Sequence, residues 1–157
     1  MPPPVAIRLF QLHDMERILE IERRSFGRDA YDRKLFAEFF HTCGGLFLVA
    51  VGGKRVLGYM VTCTGFQQPP ARAELVSVAV DPVERARGIG SALMNSTLRR
   101  LRRRGVGRFT LTVRDSNRRA RKFYERYGFA KLRKLPGYYE DGENGVLMRK
   151  MLRFHAT

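Results

Sequence analysis

The segment VDPVERARGIGSALM, residues 80–94, constrains the fold of this 157-residue chain more than any other. A valine-rich run ends at Val80, an Asp-Pro turn and two glycines follow, and a segment of helical periodicity begins near Ile89. The first turn of a helix has unpaired backbone N–H groups and a partial positive charge, and glycines let an anion approach them closely. The segment therefore predicts a strand, an anion-binding loop and a helix in succession.

Three nucleotide-binding motifs use such a junction, and they differ in their glycine spacing. A P-loop ends in Gly-Lys followed by Ser or Thr, which this segment lacks. A Rossmann fingerprint needs a small residue three positions after Gly90, where Leu93 stands, and an acidic residue about twenty positions further on, where the chain has RFTL. The pattern that fits is Arg-x-x-Gly-x-Gly, formed by Arg85, Gly88 and Gly90.

The rest of the chain alternates between β-rich and helical patterns. Strands are predicted over 5–10, 46–51, 55–64, 73–80, 108–113, 129–132 and 145–152, and helices over 14–24, 33–41, 89–104 and 117–127. Asp14 is the predicted N-cap of the first helix, and Gly52-Gly53 the predicted hairpin loop. The order βααβββαβαββ predicts the α/β class, with a mixed central sheet of about seven strands and four helices. Because 44% of the residues are hydrophobic, we expect one core and a single domain over 1–157.

Composition excludes several classes of protein. The longest apolar run, 46–51, is far shorter than the ~20 residues needed to cross a bilayer, and the N-terminus lacks the pattern of a signal peptide. Scattered histidines and two widely spaced cysteines offer no local metal-binding motif. Cys43 and Cys63 are interpreted as small core residues without a function. We therefore expect a reduced, cytoplasmic protein that uses neither a membrane nor a metal.

The charge of the chain is concentrated in one region. The formal net charge is +15, and residues 85–134 contain 17 Lys and Arg residues but only two acidic ones, Asp115 and Glu125. This excess favours a polyanionic ligand or partner. The arginines of 99–104 lie opposite the apolar stripe of their predicted helix. We interpret them either as a solvated face or as a weak contact surface for RNA or a ribosome.

A second segment, LTVRDSNRRARKFYERYGF at 111–129, places Asn117 and Tyr124 seven positions apart, ahead of Gly128-Phe129. Together with the Arg-x-x-Gly-x-Gly loop, this segment resembles the paired signatures of the GNAT superfamily of N-acetyltransferases. The resemblance covers nearly the whole chain and includes the order of its predicted elements. The tail GYYEDGENGVLMRKML at 137–152 resembles the protein N-terminal α-amine acetyltransferases, especially the bacterial ribosomal-protein-alanine type.

The resemblance implies acetyl-CoA as the co-substrate, bound by matching residues. The backbone of Val78, Ala79 and Val80 would pair with the pantetheine arm, and Asn117 would hydrogen-bond it. Tyr124 would face the thioester sulfur and protonate the departing thiolate, although an aromatic on the apolar face of a helix is more often a core residue. The glycine loop would hold the pyrophosphate through Arg85, Ala86, Arg87, Gly88, Ile89, Gly90 and Ser91.

The resemblance also implies where the substrate binds. Tyr138 and Tyr139 would hold the backbone of the substrate's N-terminus, or they are simply exposed aromatics of a hairpin. Phe26, between the first two helices, would line the pocket for the first side chain. Gly27 stands where the family often has proline, which weakens that assignment.

The general base departs from the pattern of the ribosomal-protein type. That type carries a glutamate at the position of Thr112, and threonine is no base. Another branch of the superfamily places a glutamate in the strand before the glycine loop, where this chain has Glu74. Glu74 is therefore the candidate base, the alternative being an ion pair with a residue such as Arg72.

Three functions remain open from the sequence. The leading one is direct transfer of an acetyl group from acetyl-CoA to the N-terminal α-amine of a protein, such as a ribosomal protein, in a ternary complex. The second is transfer to a lysine or to a small amine, for which Glu140, Asp141 and Glu143 offer an acidic pocket. The third is a non-enzymatic module that binds RNA through 99–104. The expected assembly is a monomer or a homodimer.

Overall fold

A computed structural model describes residues 4–65 and 72–152. The strands are β1 (Val5–Leu9), β2 (Phe47–Gly52), β3 (Arg55–Thr64), β4 (Arg72–Val80), β5 (Arg108–Arg114), β6 (Ala130–Leu135) and β7 (Gly145–Met151). The helices are α1 (Met15–Phe26), α2 (Arg33–Cys43), α3 (Ile89–Arg103) and α4 (Arg118–Arg126), with short 3-10 turns between some elements. Their order along the chain confirms the predicted α/β class and element order.

The strands form one seven-stranded sheet in the order β1-β2-β3-β4-β5-β7-β6. β4 and β5 run parallel, and their ladder joins Arg72–Glu74 to Arg108–Thr110. β5 and β7 are antiparallel along their whole length, and β6 pairs antiparallel with β7. The predicted mixed sheet is therefore confirmed.

The contacts of the chain cluster into two compact units. Unit 1 contains Met1–Cys63 and Leu75–Leu101, and unit 2 contains Thr64–Glu74 and Arg102–Thr157. In unit 1, α1 and α2 bury aromatic and aliphatic side chains against β2 and β3, and the rings of Phe10 and Phe47 stack at 4.1 Å. In unit 2, Phe109 packs against Phe129 with ring centroids 5.3 Å apart. The single domain over 1–157 stays a prediction.

Two local features differ from the sequence prediction. Asp14 does not cap α1 with its side chain, because its carboxylate accepts hydrogen bonds from the Arg8 guanidinium and from the Gln11 backbone N–H, each at 2.8 Å. The β2–β3 hairpin has Gly53-Lys54 as its two-residue loop, since Gly52 still pairs with Arg55 in the ladder. Gly53 adopts φ +64°, which favours glycine at that position.

The expectation that Cys43 and Cys63 are reduced is wrong. Cys43, the last residue of α2, and Cys63, near the end of β3, form a disulfide with Cα atoms 5.1 Å apart. They are separated by 20 positions in the sequence, so only the packing of α2 beside β3 brings them together. The bond ties the end of α2 to the sheet.

Candidate active site

The glycine loop of unit 1 follows β4 and leads into α3. Asp81 begins the loop, buried and held by Arg17, with one carboxylate oxygen accepting from the Val83 backbone N–H at 3.1 Å. Ala86 and Gly88 both adopt φ +74°, a left-handed conformation that is unusual for alanine. Left-handed residues in a turn direct successive backbone N–H groups toward one side, which favours an anion-binding concavity.

The two arginines of the loop, Arg85 and Arg87, differ in their surroundings. Arg87 forms an ion pair with Glu84 at 2.6 Å, so part of its charge is already compensated. Arg85 is exposed, and a Cβ added at Gly88 would meet no atom within 4 Å. Open space above Gly88 and an exposed guanidinium beside it fit a phosphate group. The fifteen-residue α3 starts at Ile89 and extends this loop with its own N-terminus.

The accessible face of β4 carries Glu74. Alternate residues of the strand are buried, whereas Glu74 is exposed and Val76, Val78 and Val80 are half-buried on the same face. Among the residues that the structure describes, Glu74 has no hydrogen bond or ion pair, and the alternative pairing with Arg72 is not observed. A carboxylate without a partner is available to a substrate.

Glu74 lies beside the strand that carries Thr112. In the parallel ladder Glu74 is opposite Thr110, and residues opposite each other in a ladder point to the same face. Thr110 and Thr112 share the half-buried face of β5 by alternation. Glu74 on β4 and Thr112 on β5 therefore lie on the same face of the sheet within unit 2. Thr112 is the position at which the ribosomal-protein type carries its glutamate.

Tyr124 lies on the apolar face of α4, with 7% of its surface exposed. Its ring packs against Phe123 and Phe129, with centroids 5.6 and 5.8 Å away. Burial raises the pKa of the Tyr124 phenol, and the nearby Tyr139 raises that pKa further. Because its pKa is raised, the phenol is protonated at neutral pH. Its hydroxyl forms no hydrogen bond within the described ranges, so its O–H is unused. Asn117 caps α4, accepting from the Ala120 N–H at 3.1 Å.

The loop between β6 and β7 carries two tyrosines with different exposure. Tyr138 is 56% exposed and packs edge-on against the half-buried Tyr139, with centroids 5.0 Å apart. A Cβ added at Gly145 would contact both Thr112 and Tyr138, at 3.1 and 3.3 Å. The start of this loop therefore lies against the accessible face of β5.

Arg114, at the end of β5, fixes the loop. Its guanidinium stacks on the Tyr139 ring at 4.1 Å and forms ion pairs with Asp141 and Glu143, each at 2.9 Å. Glu143 also accepts a hydrogen bond from the Ser116 backbone N–H at 3.2 Å. The hydrogen bonds from Ser116 and Arg114 hold the pKa of Glu143 below its usual range. Arg114 cannot be assigned a role from the sequence, because its partners follow it by 25 to 29 positions.

Phe26, predicted to lie between the first two helices, is instead the last residue of α1, directly before the segment 27–32 of unit 1, and it is 38% exposed. A buried carboxylate, Glu22, supports this segment by accepting from the Tyr31 N–H at 3.3 Å. Glu22 also accepts from the hydroxyls of Tyr59 and Ser77, and its burial raises its pKa. Ser77 lies on β4 next to Val78, so Glu22 links the segment that follows Phe26 to the strand predicted to bind the cofactor. The sequence does not reveal this network, because only burial distinguishes Glu22 from the other acidic residues of α1.

Unit 1 thus contains Phe26, Val78–Val80 and the glycine loop, and unit 2 contains Glu74, Asn117, Tyr124, Tyr138 and Tyr139. Within unit 2, the structure brings Tyr124 and Tyr139 close enough to interact electrostatically. Within the described ranges no group of three or more His, Cys, Asp or Glu residues is arranged to hold a metal ion. No helix in these ranges is long and apolar enough to cross a membrane.

Comparison with known proteins decides the family. The model of the acetyltransferase (GNAT) family matches residues 12–129, which include the glycine loop, Asn117 and Tyr124. The chain belongs to the GNAT acetyltransferase family. It is therefore an acetyl-transferring enzyme, and a non-enzymatic RNA module is not its primary function.

Two relatives extend the similarity over nearly the whole GNAT chain. An uncharacterized N-acetyltransferase of Methanocaldococcus jannaschii is 36% identical over 148 residues, covering 93% of this chain and 91% of the relative. An N-alpha-acetyltransferase of Saccharolobus solfataricus is 29% identical over 156 residues, covering 94% of this chain and 93% of the relative.

Two solved structures share the fold of this GNAT enzyme. Ard1 from Thermoplasma volcanium has a TM-score of 0.89 at 30% identity, with 95% of this chain and 98% of the other covered. The ribosomal-protein-S18-alanine N-acetyltransferase of Escherichia coli has a TM-score of 0.82 at 26% identity, with 98% and 97% covered. The resemblance to the ribosomal-protein-alanine type is therefore confirmed.

Proposed function

We propose that this GNAT enzyme transfers the acetyl group of acetyl-CoA to the N-terminal α-amine of a protein. The observation that carries the proposal is the bracing of the Tyr138-Tyr139 loop by Arg114. A fixed loop with one exposed and one half-buried tyrosine suits the backbone of an extended peptide. The names of the relatives, an N-alpha-acetyltransferase and a ribosomal-protein-alanine N-acetyltransferase, support the same class of substrate.

The residues of the glycine loop fit a pyrophosphate. The left-handed backbone at Ala86 and Gly88, the open space above Gly88 and the exposed Arg85 form a cradle for an anion. The proposed cradle is Arg85, Ala86, Arg87, Gly88, Ile89, Gly90 and Ser91, with the backbone of Val78, Ala79 and Val80 pairing with pantetheine. Acetyl-CoA supplies the activated acetyl group, and a backbone N–H near Val78–Val80 polarises its carbonyl. Asn117 uses its side-chain oxygen to cap α4, so its amide N–H group is left to donate to the cofactor arm.

Glu74 is the proposed general base, acting directly or through a water molecule. Its carboxylate is exposed and has no partner in the described ranges. Glu74 pairs with Thr110 in the β4–β5 ladder, so the two side chains lie on the same face of the sheet. An α-amine with a pKa of ~7.8 is roughly one-tenth unprotonated at pH 7, whereas a lysine with a pKa of ~10.4 is unprotonated at well under one part in a thousand. The α-amine therefore demands less of a base, and the absence of a glutamate at Thr112 is compatible with activity.

Tyr124 is the proposed hydrogen-bond and proton donor to the departing thiolate. Burial keeps the phenol protonated, and its O–H has no partner in the described ranges. An unused donor in a buried position stabilises charge that develops only during the reaction. This role does not require Tyr124 to be a strong acid in the resting enzyme.

A small cationic amine is the less favoured substrate class. The acidic cluster that would attract it is largely neutralised, because Arg114 pairs with both Asp141 and Glu143. Glu140 is exposed without an ion pair in the described part of the loop. A chain with a net charge of +15 would repel polyamines unless such a pocket were open.

The test is CoA release, followed with a thiol reagent, on peptides that begin with Ala, Ser, Met or Glu. A peptide with a blocked N-terminus and one internal lysine serves as the control. Turnover of the free-N-terminus peptides alone supports the proposal. Turnover of the blocked lysine peptide alone assigns the enzyme to lysine substrates, and turnover only of spermidine assigns it to small amines.

A ribosomal protein is the proposed physiological partner, and the cytoplasm is the proposed location because ribosomal proteins are synthesised there. Mass spectrometry of the N-termini of ribosomal proteins, in cells with and without the gene, tests the first point. Loss of acetylation from at least one such N-terminus is expected. Cell fractionation tests the second.

A further inference from the structure

The outer face of α4 has a dense positive charge that the acetyl-transfer reaction does not use. Arg118, Arg119, Lys122 and Arg126 are all exposed, and at 100° per residue they fall within about 100° of the helix circumference. We call these four residues the α4 ridge. None of them has an ion pair in the described ranges, and Glu125 is the single acidic residue beside them.

The α4 ridge is a surface feature of unit 2 with its own shape. A shallow concavity of about 570 Å³ is lined by Arg119, Lys122, Glu125 and Arg126. The Arg126 guanidinium lies 5.7 Å from the Phe123 ring, which orients it along the helix. All residues of β6 except the last are exposed. The charges of Lys131, Arg133 and Lys134 on this strand have no ion pairs in the described ranges.

We propose that the α4 ridge binds the phosphate backbone of double-stranded RNA. Residues 118 to 126 rise by about 12 Å along the helix, a length that matches a few successive phosphates of one nucleic-acid strand. Three of the four cations are arginines, whose planar guanidinium binds phosphate oxygens through two parallel hydrogen bonds.

The residue types of the α4 ridge favour duplex RNA over a membrane or single-stranded RNA. A membrane-binding helix exposes apolar side chains, whereas the aromatic residues of α4, Phe123 and Tyr124, pack against each other and inward. Single-stranded RNA is bound largely by stacking of its bases on exposed aromatics, which the ridge does not contain. RNA is chosen over DNA because the proposed protein substrate is made on, or belongs to, a ribosome, so this choice rests on the proposed function.

The α4 ridge differs from the surface that the sequence suggested. The arginines of 99–104 belong to the end of α3 and to the segment after it, and Arg104 has a partner within the structure. The ridge lies on the opposite side of α4 from Tyr124, because the apolar residues of α4 cluster on its other face. RNA bound to the ridge therefore leaves the side of α4 that carries Tyr124 free.

Fluorescence anisotropy with a 20-base-pair RNA duplex tests the proposal on the full-length protein, with and without saturating CoA. With the B-DNA coefficient of about −0.9 per phosphate, four phosphate contacts predict a slope of about −3.6 for log affinity against log salt, or a loss of roughly 150-fold between 50 and 200 mM KCl. Replacing all four ridge residues with Gln should weaken binding at least 20-fold and reduce the slope by about 3 to 4.

The matched control replaces Arg23, Lys34, Lys54 and Arg55 with Gln. All four are exposed cations of unit 1 without ion pairs in the described ranges, so the change in net charge is the same. The control should weaken binding less than threefold, and CoA should not displace the RNA.

Equal losses in the two variants would overturn the proposal, because net charge alone would then explain binding. Displacement by CoA would assign the α4 ridge to the cofactor instead. Equal affinity for a DNA duplex, or for an acidic peptide of the same length, would also overturn the assignment to RNA. Because binding is measured without catalysis, a failure here is distinguishable from a failure of the proposed activity.

Discussion

The guanidinium of Arg114 stacks on the ring of Tyr139, with 4.1 Å between the guanidinium carbon and the ring centroid. The same guanidinium pairs with Asp141 and Glu143, so one side chain fixes both ends of a turn in the β6–β7 loop. The backbone completes the turn, since the Gly142 N–H donates to the Tyr139 carbonyl at 2.8 Å. The proposed peptide-binding loop is therefore ordered before the substrate arrives.

Replacing Arg114 with Met should raise KM for a peptide substrate about tenfold and change kcat by less than threefold. The loop would lose its stacking partner and both ion pairs, whereas the proposed reacting groups Glu74 and Tyr124 would be untouched. Arg114→Lys keeps the positive charge but not the planar stacking, so its KM should lie between those of the wild type and Arg114→Met. Steady-state kinetics check this, with Arg108→Met, an exposed arginine on the same strand, as the control. A fall in kcat without a change in KM would contradict the positioning role.

Local patterns predicted most of the fold. The strand–loop–helix junction, the amphipathic α4 and the hairpin are set by periodicity, glycine and caps within a few neighbouring residues, and each occurs close to its predicted place. Asn117, where the last helix was predicted to begin, is the N-cap of α4. The order of elements follows from these local signals.

Contacts between distant residues could not be predicted in the same way. Arg8 binds the Asp14 carboxylate that was predicted to cap α1, and Arg114 neutralises acids that the sequence left as an open cluster. Cys43 and Cys63 are joined only because α2 packs beside β3. The burial of Glu22 depends on three elements at once. Such pairings are properties of the packed chain rather than of a segment.

Glu74→Gln should lower kcat with a peptide at least tenfold at pH 7 and leave KM unchanged. The amide keeps the size of the side chain but does not accept the proton of the substrate's ammonium group. Raising the pH from 7 to 9 should restore much of the rate in the variant, because a free α-amine with a pKa of ~7.8 then loses its proton to the solvent. A pH–rate profile checks this. Glu140→Gln, on an exposed acid of the β6–β7 loop, is the control and should behave like the wild type.

Tyr124→Phe should lower kcat ten- to a hundredfold with little effect on the free energy of unfolding. The ring contacts with Phe123 and Phe129 remain, and the missing hydroxyl has no hydrogen bond to lose within the described structure. Because burial raises the pKa of Tyr124, the wild-type phenol stays protonated above pH 10, and no loss of kcat from its ionisation is expected below that pH. A decline of kcat with an apparent pKa near 9 that disappears in Tyr124→Phe would contradict this. Urea unfolding of both proteins separates the catalytic loss from a loss of stability.

Reduction of the Cys43–Cys63 disulfide should lower the free energy of unfolding by about 3 kcal/mol, the value expected for closing a loop of this length. The bond joins residues separated by 20 positions, and its main effect is to restrict the unfolded chain. Urea unfolding with and without a reductant measures the difference. The double variant Cys43→Ser/Cys63→Ser should be insensitive to the reductant and resemble the reduced wild type. Titration of free thiols in the purified protein gives an independent check: two reactive thiols in the unfolded, unreduced chain would show that the bond had not formed, and the predicted difference in stability would then be absent.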